Sequence, residues 1–310
     1  MNVSFRVGKI PVRILPSFFI TTLVLNVSLA QSDLRELVLW LVIVLVSVLI
    51  HEMGHALAGL AFGLDPHVDL HGMGGTTSWS AAVPVSPARR IAISLAGPAM
   101  GFLAGLLVLA VWRLGNIPPT PLGEFVFNSL VFVNIGWGVL NLLPMLPLDG
   151  GNVMRHTLDI MTGGRGDRPT RVASVAVAGL ATAGALVARA WWPALLAGSF
   201  GVSNWRELKE LKTREADVLL RASVEDAYDA LTAKDAARIL ELARPVAQKA
   251  HDPALRAEAL QLLAFGFLLE RRLADADAAI AALPSDFAPH PSLIELRASV
   301  AGGAPPLGAP

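Results

Sequence analysis

Residues 37–62 read LVLWLVIVLVSVLIHEMGHALAGLAF and decide the fold of the region around them. A helix needs about 20 predominantly apolar residues to cross the hydrocarbon core of a bilayer, and this stretch is long and apolar enough to do so. Its second half is interrupted by His51, Glu52 and His55. Ionisable side chains inside a membrane segment are costly and are usually functional. The stretch therefore predicts a transmembrane helix that carries a functional site near one end.

The composition of the whole chain extends this prediction to a polytopic membrane protein. Hydrophobic residues make up 54% of its 310 residues and charged residues only 16%. An average soluble domain has about 25% charged residues. Further apolar runs lie at about 14–30, 91–112, 125–146, 172–188 and 190–204. We therefore predict an all-α polytopic fold with about six transmembrane helices, each near the length that a bilayer requires.

A different pattern separates the second and third predicted spans. Residues 66–85 read PHVDLHGMGGTTSWSAAVPV, in which glycines stand between residues that favour strands. Such a cluster of glycines between short strand-forming runs is typical of a turn. We predict a small membrane-associated β-hairpin here.

The distribution of basic residues indicates the orientation in the membrane, because cytoplasmic loops carry an excess of Lys and Arg. With the N-terminus inside, the outside loops hold only Arg35, Arg113 and Arg189, and the other basic residues near the spans lie inside. This predicts a multi-pass protein of the cell membrane, in a bacterial inner membrane, with both termini in the cytoplasm. The hairpin and the loop after the fourth span are then cytoplasmic too.

The C-terminal third has the composition of a soluble helical domain. From about residue 206 the chain is rich in Ala, Leu, Glu, Arg and Asp, with apolar residues at helical spacing such as Leu255, Ala259 and Leu262. We predict a cytoplasmic helical domain over 206–300, either a tetratricopeptide-like (TPR-like) fold or a small helical bundle, which could bind a cytoplasmic partner. The last residues, 301–310, read AGGAPPLGAP and predict a disordered tail.

Charge and cysteine content exclude several classes of function. The chain has 25 Lys and Arg residues and 25 Asp and Glu residues, so its formal net charge is zero, which argues against nucleic acid as a partner. It contains no cysteine. Disulfide scaffolds, thiol nucleophiles and Cys-based zinc sites are therefore excluded, and a metal site has to use His, Asp and Glu.

The motif HEMGH at 51–55 supplies residues of this kind. Residues four apart share one face of a helix, so His51 and His55 can both bind one zinc ion, and Glu52 can reach a water bound to it as a general base. The alternative is a polar patch at a helix end that packs against a neighbour. We favour the zinc site because of its membrane setting.

A catalytic zinc ion usually has three protein ligands and one water. Most predicted spans contain no further Asp, Glu or His at the level of HEMGH, but Asp149 follows the fourth span on the same predicted side. Pro144 and Pro147 break the helix before it, and Gly150 and Gly151 allow a sharp turn after it. Asp149 is therefore the candidate third ligand, with a helix-capping aspartate as the alternative.

Several motifs together resemble the site-2 protease family of intramembrane zinc metalloproteases. HExxH in an early membrane helix is followed by a Gly-Gly hairpin, by AGPAMG at 96–101 and by N-x-x-P-x-x-P-L-D-G-G at 141–151. The resemblance covers about residues 1–205 and implies an intramembrane metalloprotease domain there. One departure is Gly101, where many members have Asn, which bears on helix packing more than on chemistry.

The resemblance also implies a site and a class of substrate. Zinc (Zn2+) is then bound by His51, His55 and Asp149, with Glu52 as the catalytic base. The substrates are membrane-spanning segments, often of single-span regulators such as anti-sigma factors that a prior cut has released. The expected activity is that of a zinc-dependent endopeptidase in regulated proteolysis.

Three further residues are candidates for substrate or oxyanion binding. Asn141 matches the family's Asn in the fourth span, and it could bond the substrate or the developing oxyanion, or bond across helices. Gly74 and Gly75 could form a strand edge to which an extended peptide adds. Alternatively, they form a tight turn that needs positive φ; given the resemblance, we favour the substrate role.

Two rival functions belong to other classes. A zinc or proton transporter would need ionisable groups on several spans, but three of the predicted spans have no Asp, Glu or His. A non-catalytic membrane scaffold that presents the helical domain for protein interaction has no need of Glu52 beside two metal ligands. The sequence therefore favours the protease.

Overall fold

The structure is a computed structural model that describes residues 2–24, 33–79, 84–115 and 120–302. The chain divides into two compact units, Met1–Leu208 and Lys209–Pro310. Most of the predicted disordered tail, residues 303–310, lies outside the described residues.

Helices form most of the first unit. In chain order they are α1 (Pro16–Val24), α2 (Leu34–Ala61), α3 (Pro87–Leu114), α4 (Pro121–Asn141), α5 (Asp149–Thr162), α6 (Asp167–Val187) and α7 (Trp191–Thr232). Among the described residues, α2, α3, α4 and α6 are long and apolar enough to cross a membrane. They correspond to the second to fifth predicted spans.

The first and sixth predicted spans have a different form. The described part of the first span, 14–24, comprises the end of a strand and the short helix α1, and residues 25–30 lie outside the described residues. The sixth span, 190–204, is the beginning of α7, a helix that continues to Thr232 with many charged residues. The count of six spans therefore stays a prediction.

Local sequence signals fix the ends of the membrane helices. The Asp33 side chain accepts a hydrogen bond from the backbone N–H of Arg35 at the start of α2. Ser86 caps α3 in the same way. Helix α4 contains a π-helical turn at Phe132–Gly136 and ends at Asn141, and a segment with two prolines separates it from α5. The predicted break before Asp149 is therefore present, and Asp149 is the first residue of a new helix.

A four-stranded sheet accompanies the helices. Its strands are β1 (Val3–Val7), β2 (Ile10–Ile14), β3 (Pro66–His71) and β4 (Gly74–Trp79), in the order β1-β2-β3-β4. The pairs β1–β2 and β3–β4 are antiparallel, and β2–β3 is parallel. The predicted hairpin is present as β3 and β4. The all-α prediction missed β1 and β2, because the basic residues of 3–14 were interpreted as the flank of the first span.

The apolar side of the sheet packs against α1 and α2. The buried members of this core are Ile10, Val12, Ile14, Phe18, Trp40, Ile43, Val44, Ala56, Val68, Leu70 and Val133. Strand β2 shows the alternation that this packing requires, because Ile10, Val12 and Ile14 are buried and the two residues between them are exposed. The core thus places the β3–β4 hairpin beside the half of α2 that carries HEMGH.

The second unit is helical throughout its described residues. Besides the end of α7 it contains α8 (Ala236–Lys249), α9 (Pro253–Leu269), α10 (Leu273–Ala281) and α11 (Pro291–Ala301). Its core includes Ile239, Leu255 and Leu262, all at most 1% exposed. The helical nature of this region agrees with the sequence prediction, and its likeness to a tetratricopeptide repeat stays a prediction.

Candidate active site

Two histidines on adjacent turns of α2 form the centre of the site. His51 and His55 lie four residues apart, and their Nε2 atoms are 3.1 Å apart. The rings meet edge to face, with centroids 4.8 Å apart. Glu52 joins them in a cluster whose potential ligand atoms all lie within 4.8 Å of one another. The spacing of the HEMGH motif thus produces the convergence that was predicted from it.

Asp149 brings a carboxylate to the same point from the start of α5. Its Oδ2 lies 3.1 Å from the Nε2 of His51, and its Oδ1 lies 3.3 Å from the Nε2 of His55. All three side chains are largely buried, with 16%, 9% and 12% of their surface exposed for His51, His55 and Asp149. The structure therefore brings together the three residues that were predicted as metal ligands.

The donor set fits a divalent metal ion such as zinc. Tetrahedral ligands at about 2.0–2.1 Å from zinc lie about 3.3 Å from one another. The observed separations are 3.1, 3.1 and 3.3 Å. In addition, the Nδ1 of His55 lies 2.7 Å from the carbonyl oxygen of Ile93, so it carries the proton and donates it to that oxygen. The Nε2 lone pair of His55 then faces the carboxylate and the second imidazole, an arrangement that a cation stabilises.

Asn141 contacts two of these three residues. Its Nδ2 donates to the Oδ2 of Asp149 at 2.9 Å and lies 3.1 Å from the Nε2 of His51. The sequence left open whether this amide bonds a substrate or bonds across helices. The structure shows it bonding across helices, from the last residue of α4 to α2 and α5.

Glu52 lies between the helix and the edge strand of the sheet. It is 5% exposed, and its Oε2 accepts a hydrogen bond from the Oγ1 of Thr77 in β4 at 2.7 Å. The same hydroxyl lies 3.1 Å from the main-chain oxygen of Glu52. Thr77 was not among the predicted site residues, and its position two residues after Gly75 on the same strand face was the available signal.

The two candidate glycines of the hairpin have different structural requirements. Gly74 has a φ of +118°, a conformation that L side chains rarely adopt. Gly75 has no such φ, but a Cβ there would lie 2.5 Å from the Oε1 of Glu52. The positive-φ explanation therefore applies to Gly74, whereas Gly75 makes room for the Glu52 carboxylate. Both lie in β4, the last strand of the sheet, whose outer edge is unpaired by any described strand.

Small residues also let α3 approach the histidines. A Cβ on Gly97, in the AGPAMG motif, would overlap the His55 ring. A Cβ on Gly54 would overlap the carbonyl of Ala96 in the same motif. At Gly101, where the motif departs from the family pattern, a Cβ would lie 3.2 Å from the carbonyl oxygen of Asn134. This residue thus concerns helix packing, as the sequence indicated.

The histidines of the hairpin do not join the site. His67 bonds Ser78 and His71 bonds Thr76, each at 2.8 Å across the strand pair. Between them, Asp69 accepts hydrogen bonds from Arg13, which hold the pKa of that carboxyl below its usual value. These contacts fasten β2, β3 and β4 to one another.

His156 is partly buried in α5. Its Nδ1 lies 3.2 Å from the Oδ2 of Asp159, and its side chain is 13% exposed. Burial lowers the pKa of His156 below its usual value, with Arg90 and Arg155 adding to the effect and Asp159 opposing it. The imidazole is therefore neutral near pH 7.

Comparisons with known proteins show similarity to zinc metalloproteases. The profile of peptidase family M50 matches residues 122–186. A Synechocystis protein, sll0528, which carries a provisional zinc-metalloprotease name, is 28% identical over 261 residues, covering 76% of this chain and 65% of that protein. A zinc metalloprotease of Methanocaldococcus jannaschii is 29% identical over 163 residues, covering 51% of this chain and 46% of that protein. The chain therefore spans less than two thirds of either relative.

A solved structure shares the fold. The site-2 protease from Methanocaldococcus jannaschii superposes with a TM-score of 0.51 at 21% identity, covering 67% of this chain and 95% of that chain. The structure adds two features of its own. Four of its described helices are apolar and long enough to cross a membrane, and His51, Glu52 and His55 form a cluster that could hold a metal ion. The chain is a membrane protein whose residues 122–186 match peptidase family M50 and whose first part shares the fold of a site-2 protease.

Proposed function

We propose that the chain is a zinc-dependent intramembrane endopeptidase. The observation that carries the proposal is the convergence of His51, His55 and Asp149 within 3.3 Å of one another, with the Glu52 carboxylate beside them. These three residues would hold the metal. When bound, zinc supplies Lewis acidity that makes water a better nucleophile at neutral pH and polarises a peptide carbonyl.

Glu52 is the general base of this proposal. Its carboxylate lies in the metal-site cluster and is held at Oε2 by the Thr77 hydroxyl, which leaves Oε1 to accept the proton of the attacking water. The protonated Glu52 then donates that proton to the leaving amine. Asn141 acts by holding Asp149, since its amide nitrogen is already engaged there.

The substrate of this proposal is an extended segment of a membrane protein. A scissile peptide bond must be extended, and the outer edge of β4 offers backbone groups for strand addition. Gly74 and Gly75 lie at the start of this edge, and Gly75 lies directly against the Glu52 side chain. We infer that a single-span regulator, such as an anti-sigma factor, pairs with this edge as its helix unwinds.

The proposed enzyme is a multi-pass protein of the cell membrane. The bias of basic residues toward one side supports a multi-pass protein with about six spans and both termini in the cytoplasm of a bacterium. Residues 206–300 would form a cytoplasmic, TPR-like domain that binds a protein partner. The intramembrane metalloprotease domain would then be residues 1–205.

The test is a comparison of the purified wild-type chain with Glu52→Gln. We expect Glu52→Gln to keep zinc, by metal analysis, and to lose cleavage of a reconstituted single-span substrate, because the ligands remain and the base is removed. General-base removal costs about 10²–10⁴-fold in rate. Glu36→Gln, a substitution in the first turn of the same helix, is the matched control and should cleave normally.

Undiminished cleavage by Glu52→Gln would contradict the role of Glu52. Absence of cleavage by the wild-type chain on several single-span substrates, despite bound zinc, would favour the scaffold. Quantitative membrane proteomics of cells that express Glu52→Gln would identify natural substrates as single-span proteins that accumulate.

A further inference from the structure

The segment between α4 and α5 determines where Asp149 lies. It runs from Leu142 to Leu148, and its backbone is packed closely against the start of α5. A Cβ on Gly150 would overlap the carbonyl of Leu142, and a Cβ on Gly151 would lie 2.5 Å from the backbone nitrogen of Leu146. Because this segment and the first turn of α5 fit so closely, a shift of one moves the other, and Asp149 with them.

Two side chains from other helices hold the centre of this segment. The backbone N–H of Leu146 donates to the Oγ of Ser174 in α6 at 2.9 Å. The carbonyl oxygen of Leu146 accepts from the Nδ2 of Asn204 in α7 at 2.7 Å. Both polar backbone groups of Leu146 are therefore satisfied by side chains, as buried backbone groups require. Leu146 itself is 7% exposed.

Both side chains also bond the backbone of their own helix. Ser174 is 0% exposed and donates its own hydroxyl proton to the carbonyl of Thr170 at 2.8 Å. Asn204 is 3% exposed and donates its second amide proton to the carbonyl of Phe200 at 2.8 Å. Each side chain thus ties Leu146 to the backbone of its own helix.

The apolar packing around the segment is less directional. Met145, Ala178 and Phe200 form a small buried cluster at the same place. Apolar contacts of this kind hold the segment against α6 and α7 but allow it to shift along them. A pair of hydrogen bonds to Leu146 is directional, so it fixes the position and orientation of that residue.

We propose that Ser174 and Asn204 are positioning residues that aim Asp149 at His51 and His55 by fixing Leu146. The inference rests on the proposed zinc site and extends it to two residues that touch neither the metal ligands nor a substrate. Their loss should loosen the third ligand while leaving the two histidines in place on α2.

The test measures zinc affinity of the full-length chain in detergent by competition with a chromogenic chelator. Loss of a group that bonds a metal ligand directly typically weakens metal binding about 10–100-fold. Because Ser174 and Asn204 act one step further out, we expect a weakening at the lower end of this range, about 10-fold, for Ser174→Ala and for Asn204→Leu. Substrate turnover at saturating zinc should show a lower kcat with little change in KM, because the peptide-binding edge is untouched.

Matched controls are available on the same two helices. Thr182 in α6 bonds the carbonyl of Ala178 at 2.7 Å, and Ser199 in α7 bonds that of Leu196 at 2.7 Å. Thr182→Val and Ser199→Ala remove comparable intrahelical hydrogen bonds away from Leu146. Both should bind zinc as the wild-type chain does.

A double variant separates positioning from general packing. If Asn204 acts through Asp149, then adding Asn204→Leu to Asp149→Ala should weaken zinc binding no further. Independent, additive losses in the double variant would overturn the inference. Should Asn204→Leu fail to fold, Ser174→Ala combined with Asp149→Ala gives the same cycle, since it removes only one oxygen atom.

The outcomes distinguish this inference from the proposed function. Wild-type zinc affinity in both Ser174→Ala and Asn204→Leu, beside a wild-type chain that binds zinc, overturns the inference alone. A wild-type chain that binds no zinc overturns both.

Discussion

At the scale of single residues, two residues of β4 lie against the Glu52 carboxylate. Thr77 donates a hydrogen bond to its Oε2, and Gly75 lies against its Oε1 without a side chain. Residues two apart on a strand project to the same face, so both contacts come from one side of β4. The edge strand that would receive a substrate is therefore also the wall that positions the base.

Gly75→Ala tests this arrangement. Its Cβ would lie 2.5 Å from the Oε1 of Glu52 and must displace the carboxylate or the strand. A misplacement of about 1 Å in an active site can lower the rate about 10²-fold. We expect a loss of this order in kcat/KM with zinc content unchanged, measured by cleavage assay and metal analysis. Gly179→Ala, where a Cβ meets open space, is the control. Normal cleavage by Gly75→Ala would show that Glu52 does not depend on this contact.

At the scale of elements, the N-terminal strands show what the sequence could predict and what it could not. Val3, Phe5 and Val7 alternate with polar residues, and Gly8 follows with a φ of +60°. This period-2 pattern was present, but the basic residues among these strands were interpreted as the flank of a membrane span, and the strands were therefore missed. The β3–β4 hairpin was predictable because its cluster of glycines, Gly72, Gly74 and Gly75, stands where one strand-forming run ends and the next begins.

The site divides in the same way between local and distant contacts. His51, Glu52 and His55 are determined by spacing within one helix, and Asp149 was found because acidic residues near the spans are few. Thr77 reaches Glu52 from 25 residues away, and its residue type is common on surfaces. Asn204 reaches Leu146 from 58 residues away in a span predicted as plain apolar helix. Pairings of this kind depend on the packing of whole elements, and of these two residues only Thr77 had a local signal, its place on the same face of the strand as Gly75.

Helix α5 carries a histidine whose titration should affect stability. Burial lowers the pKa of His156 in the folded chain below its usual value, so the unfolded chain binds more protons in the range between the two pKa values. Stability should therefore fall as the pH drops below about 6.5, the unperturbed histidine pKa, and level off above it. Removing the imidazole should remove this part of the pH dependence.

The measurement is thermal unfolding in detergent at pH 5.5 and pH 7.5. We expect the difference in Tm between these pH values to be smaller, by at most a few degrees, for His156→Gln than for the wild-type chain. Arg90, Arg155 and Asp159 also face this imidazole and stay unchanged in the variant. His67→Gln, on the exposed face of the sheet, is the control. An unchanged pH dependence in His156→Gln would contradict a buried neutral imidazole.

At the scale of the whole molecule, each unit has its own hydrophobic core. The first has the core between the sheet, α1 and α2, and the second has a core built from α7 to α11. The proposed ligands His51, His55 and Asp149 all belong to the first unit, Met1–Leu208. Metal binding should therefore stabilise the first unit directly.

Chelation of the metal tests this assignment. A ligand that binds only the folded state contributes about 2.7 kcal/mol when its free concentration is 100 times its Kd. Hydrogen exchange should thus become faster after chelation in α2 and in the first turn of α5, since these carry the ligands. Amides in the core of α9, around Leu255 and Leu262, should exchange at unchanged rates, because no proposed ligand lies in the second unit. Asp149→Ala, which lacks one ligand, should respond less to the chelator. Equal acceleration in both units would mean that the metal is not confined to the site on α2 and α5.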